Sequence, residues 1–115
     1  MYKVYFEESF FIWLDDFVGS MKDYYYTFYS NTWLYDVEKI VEWYFNKYEK
    51  LKTDILNKID LICKDWILWR KVLYSFDNIE NCIFTFTIWN YKIIFTAIIN
   101  QIKQEVIIST IKIET

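Results

Sequence analysis

The chain contains no histidine and no proline, and glycine and arginine occur once each, as Gly19 and Arg70. Without histidine there is no Ser-His-Asp or Cys-His nucleophile, no imidazole acid or base and no histidine metal site. One glycine excludes a glycine-rich phosphate loop. It also forces tight turns to rely on Asn and Asp, the next-best residues for positive φ. Only two cysteines are present, Cys63 and Cys82, at no metal-type spacing. Each lies in an apolar run, which predicts buried, reduced thiols, with a 63–82 disulfide as the alternative. No metal and no cofactor is expected.

Aromatic side chains are abundant instead. Six Trp, eleven Tyr and ten Phe in 115 residues exceed what one small core needs, so some rings should be exposed or sit at an interface. The length fits a single domain, 1–115, and 55% hydrophobic content suffices for a real core. Much Ile, Phe, Tyr, Asn and Lys beside little Gly, Pro, Ala and Arg is the pattern of an AT-rich genome. The formal net charge of −3 argues against strong non-specific nucleic-acid binding, which needs clustered cations. Glu7, Glu8, Asp15 and Asp16 interrupt any signal-peptide core, and no apolar run approaches the ~20 residues of a membrane span. These features predict a soluble cytoplasmic protein with no membrane partner.

Tyr2, Val4 and Phe6 alternate with Lys3 and Tyr5, which predicts an opening strand. From Glu7 the spacing becomes helical, with Phe10, Leu14, Phe17 and Val18 on one face and Gly19 as the expected C-terminal stop. Ser20 would then cap a short second helix carrying Tyr24, Tyr25, Tyr26, Phe28 and Tyr29. Those tyrosines serve either as packing residues or as a stacking platform. Ser30, Asn31 and Thr32 read as a loop. Val37, Val41, Tyr44, Tyr48, Leu51, Ile55 and Ile62 repeat at three-and-four spacing, predicting a helix over about 36–64 with Asp36 as N-cap. The helix is long enough that a kink or a coiled coil is the competing reading.

After the apolar Trp66–Trp69, residues 70–74 alternate loosely as a candidate strand and 76–81 read as a polar connection. Cys82, Phe84, Phe86 and Ile88 then alternate with Ile83, Thr85 and Thr87, and Asn90 marks a turn. Tyr91–Ile99 and Glu105–Ile113 follow as strands. The first of these, with only Lys92 and Thr96 polar, reads as central and buried on both faces. The sum is an α+β fold: a short N-terminal strand, two or three helices, then a C-terminal antiparallel sheet of three to four strands. The paired carboxylates (Glu7/Glu8, Asp15/Asp16, Glu38/Glu42) fall on helix surfaces, where solvation explains them.

This order of elements resembles the RelE/ParE superfamily of small bacterial toxins. Tyr2–Phe17 is similar to the family's strand-to-helix junction, Val37–Ile62 to its second helix, and Tyr91-Lys92-Ile93 to its "Tyr-Arg-Ile" strand. Ile111-Lys112-Ile113 sits where a C-terminal basic residue is common. The resemblance implies a toxin–antitoxin module: a cognate antitoxin as partner, and growth inhibition by ribosome-dependent mRNA cleavage or by binding a protein target. Arg70, Lys92 and Lys112, with Tyr91, are the candidate catalytic residues it implies. Any such enzyme would be a metal-independent ribonuclease, against which stand the missing histidine, the single arginine and Lys92 in place of the usual arginine. A non-enzymatic phage-type inhibitor of a host complex, for example an anti-CRISPR protein, is the second expectation, motivated by size, acidity and surplus aromatics.

Overall fold

The computed structural model describes residues 2–29 and 37–114. Expectations that fall on Ser30–Thr32, on the Asp36 cap and on the side chains of Tyr29 and Val37 lie outside the described residues. The order is β1 (Lys3–Phe6), α1 (Glu8–Tyr29), α2 (Val37–Lys64), α3 (Trp66–Trp69), β2 (Lys71–Phe76), β3 (Ile79–Ile88), β4 (Tyr91–Asn100) and β5 (Glu105–Glu114). This is the α+β architecture read from the pattern of the chain.

Four strands, β2 to β5, form an antiparallel meander. β1 joins it in parallel beside β5, giving one sheet of order β1-β5-β4-β3-β2. The backbone N–H of Lys3 donates to Gln104 and that of Glu7 to Ile108, which pins both ends of β1. β4 is central, as its composition predicts, but it is not buried on both faces. Ile93, Phe95, Ala97 and Ile99 are buried, whereas Ile94, Thr96 and Ile98 are half-exposed and Lys92 is exposed. One face of the sheet carries helices; the other is open.

The core lies between sheet and helices. Phe10, Leu14 and Val18 of α1 and Leu51, Ile55, Ile59 and Ile62 of α2 meet Phe84, Phe95, Ile99 and Ile108 of the strands. The rings of Phe84 and Phe95 stack at 4.8 Å. β5 keeps both halves of its apolar set in this core through a register shift opposite Thr96/Ala97. Val106 and Ile108 point inward before it, and Ile111 points inward after it. The extra residue of such a bulge reverses the alternation.

Both cysteines are free and buried. α2 is a single uninterrupted helix, and it packs on α1 and the core rather than in a coiled coil.

Gly19 does not end α1. The helix runs straight through it to Tyr29, so the expected second helix from Ser20 is the second half of the first. The reason is tertiary: Met21 and Tyr25 continue the inward stripe of Phe10, Leu14 and Val18, and burying that stripe outweighs the ~1 kcal/mol that a helical glycine costs. A Cβ built on Gly19 meets nothing within 4 Å. Gly19→Ala should therefore stabilise the fold by about 0.5–1 kcal/mol, read as a higher urea midpoint with an unchanged slope.

Of the four described non-glycine residues with positive φ, two are the Asp and Asn expected of a glycine-poor chain and two, Trp89 and Gln104, are not. Asp77 and Asn78 both have positive φ, 48° and 63°, the requirement of a two-residue hairpin whose twist matches its strands. Residues 76–81 are thus no polar connection but the tip and flanks of the β2–β3 hairpin, with Phe76 opposite Ile79. Trp89, at φ 56°, opens the next turn.

Candidate functional site

Alternation along β4 separates two of the four candidate residues at once. Tyr91 faces the helices and Lys92 faces away, because neighbours in a strand point to opposite sides. The Tyr91 hydroxyl lies 3.0 Å from that of Tyr48 on α2, and Phe17 of α1 packs edge-on against its ring at 5.7 Å. Tyr91 is therefore part of an aromatic cluster joining both long helices to the sheet.

That cluster explains the tyrosine-rich stretch. Tyr25 stacks flat on Tyr44, with centroids 3.8 Å apart, while Tyr24 and Tyr26 are exposed. The Tyr25 hydroxyl is pushed up to about 12 by its hydrogen bond with Tyr48 and by burial. Tyr48 is raised by burial first and by its bond to Tyr91. Both hold their protons at neutral pH, so neither acts as a base there.

Arg70 is committed elsewhere. Its guanidinium donates to the Glu80 carboxylate and lies 5.0 Å over the Trp66 ring. The ion pair joins the start of β2 to β3 on the helix side, and Glu80 also accepts a 3.8 Å contact from the Cys82 thiol. Burial, with Glu80 beside it, pushes the Cys82 thiol up to about 11.

Lys92 and Lys112 do come together, on the open face. In register, Lys92 is opposite Thr87 on one side and Glu114 on the other, and Lys112 is opposite Ile94. The Lys112 ammonium donates to Glu114 at 3.0 Å. Glu114 is held below the usual carboxylate range by that bond and by the charges of Lys112 and Lys92. Hydroxyls line the same end of the sheet: Thr96 and Thr110 share a 2.6 Å hydrogen bond, with Thr85 and Thr87 exposed on β3.

Beyond the threonines the open face becomes apolar. Tyr5, Ile107, Ile98, Asn81 and Tyr74 form one row across all five strands. The pattern reading missed this surface, because half-exposed isoleucines in β4 and β5 look like core until strand pairing shows that no helix lies over them. The available signal was Lys92 itself, which marks the outward face of β4.

Chemically the arrangement is a recognition surface. Two ammonium groups flank one carboxylate, hydroxyls donate and accept beside them, and apolar side chains adjoin. Among the described residues no group of acidic or thiol side chains could hold a metal ion, and no helix is long and apolar enough to cross a membrane. No family model, curated protein or solved structure matches the chain.

Proposed function

We propose that the chain is a RelE/ParE-like growth inhibitor that works in the cytoplasm by binding a protein target, with a cognate antitoxin to restrain it. Strand, two long helices and an antiparallel meander, in that order, support the family reading. One observation carries the choice of binding over mRNA cleavage: the candidate groups do not converge. Arg70 is paired with Glu80 on the helix side, Tyr91 sits in the aromatic cluster, and only Lys92 and Lys112 share a surface. Stabilising a cleaved phosphodiester needs several cations directed at one point. Binding a protein needs a surface with charge, hydroxyls and apolar area side by side, as the open sheet face has.

A second reading rests on a different surface, the outer faces of α1 and α2. Trp43, Tyr24, Tyr26 and Phe28 are exposed on α1 and α2; Tyr26 lines one cleft with Glu38, Glu42 and Lys22, and Lys47 lies over the Trp43 ring. Rings among acids suit a phage-type inhibitor, of which anti-CRISPR proteins are one example, occupying a basic nucleic-acid groove of a host complex.

Induced expression in a bacterial host separates these readings. Growth should stop while cellular mRNA stays full length, and Lys92→Glu/Lys112→Glu should relieve the arrest by weakening target affinity about tenfold or more. Cleaved mRNA would restore the ribonuclease reading. Absence of arrest, with no antitoxin partner, would remove the toxin reading altogether.

A further inference from the structure

β2 is an edge strand, and all six of its residues are exposed. Natural edge strands are blunted by proline, by charge, by bulges, by shortness or by a covering element, and of these β2 has one lysine and the register shift between Val72 and Tyr74. Here there is no proline, the only charge within the strand is Lys71, and Leu73, Tyr74 and Phe76 are 59%, 60% and 65% exposed. Leu68, in α3 just before it, is 84% exposed. Ile67 and Ile79 are exposed as well, so the margin leaves a run of large apolar side chains in water, the kind of surface that marks an interaction site. The opposite edge, β1, has only four residues, so the exposure is concentrated on one side of the sheet.

We propose that β2 pairs antiparallel with β2 of a second copy about a two-fold axis, joining the two sheets into one. The charges along the segment select this occupant. Lys71 stands at one end of the strand and Asp77 in the turn at the other, and among the described residues neither is in an ion pair. Two-fold pairing centred on Tyr74 sets Lys71 against Asp77 of the partner subunit and Val72 against Phe76 of the partner subunit. Parallel pairing would instead stack lysine on lysine. The contact is isologous and uses the β2 edge of each copy, so that edge closes at two copies. The register shift between Val72 and Tyr74 adds local twist, which opposes open-ended stacking. The interface shares Tyr74 with the apolar row of the open face but includes neither Lys92 nor Lys112, and sedimentation reads it without reference to growth.

Sedimentation velocity on the whole chain at micromolar concentrations tests it. The wild type should sediment as a dimer. Tyr74→Lys should be a monomer, its dissociation constant raised about tenfold or more, with an unchanged far-ultraviolet circular dichroism spectrum because the side chain is exposed. Lys71→Glu should weaken the dimer about two- to fivefold by facing Asp77 of the partner subunit with an acid. A wild type that stays monomeric overturns the proposal and leaves the edge to a strand from another protein. A dimer that persists in Tyr74→Lys places the contact elsewhere, and a Lys71→Glu dimer as tight as wild type overturns the antiparallel register.

Discussion

Phe95→Ala is expected to cost about 3–5 kcal/mol of unfolding free energy, measured as a lower urea midpoint, and so to remove much of the ~5–15 kcal/mol that keeps a domain of this size folded. Phe95 is fully buried at the middle of the central strand and stacks on Phe84. Phe86 packs edge-on from the same side at 6.2 Å. A ring deleted there leaves a cavity in the core between sheet and helices, whose floor, the backbone of β3, β4 and β5, is held in place by ladders on both sides. The cost is then both the lost burial and the unfilled volume. A loss below about 1 kcal/mol would mean that this site relaxes far more than a doubly paired strand should.

Raising the pH above about 9 should destabilise the protein. Burial and the neighbouring Asp60 push the Cys63 thiol from 9.0 up to about 12, and Cys82 and Tyr25 are raised to about 11 and about 12. In each case the folded state holds a proton that the unfolded chain releases near the group's ordinary value. Their contribution is complete below about pH 9 and is lost as pH rises from there toward the folded-state values. Cys63 alone accounts for roughly 2–3 kcal/mol by about pH 11. Urea midpoints measured under reducing conditions should therefore be flat to about pH 8.5 and fall steeply above it. Cys63→Ala should start from a lower midpoint, because it opens a cavity, but should lose less of it between these limits. Equal alkaline slopes in the variant and the wild type would remove Cys63 as the cause.

Much of the fold is legible in the order of residues. The alternation of Cys82, Phe84, Phe86 and Ile88 is β3, and the stripe from Val41 to Ile62 is the buried face of α2. These patterns are readable because a side chain's direction repeats every 2 or 3.6 residues whatever the strand or helix packs against. Two segments misled for opposite reasons. Gly19 carries a local stop signal that packing overrides. Residues 76–81 look polar and loop-like because Glu80 and Asn81 flank a real turn, but Glu80 is neutralised by Arg70 and Asn81 sits on the open face.

The candidate site was less legible. The resemblance groups Tyr91 and Lys92 by their place in one strand, but adjacent residues of any strand face opposite ways. Nothing in a linear reading says that a hairpin brings Glu80 back to Arg70, the third candidate cation.

Most element types, the buried stripe of α2 and the exclusion of imidazole and glycine-loop chemistry follow from residue identity and short-range spacing. The parallel docking of β1 on β5, the reversal of alternation within β5, the Arg70–Glu80 pair and the bare edge of β2 belong to the folded molecule alone. Each depends on which distant segments become neighbours, a matter settled by the joint burial of the whole core rather than by any few consecutive residues.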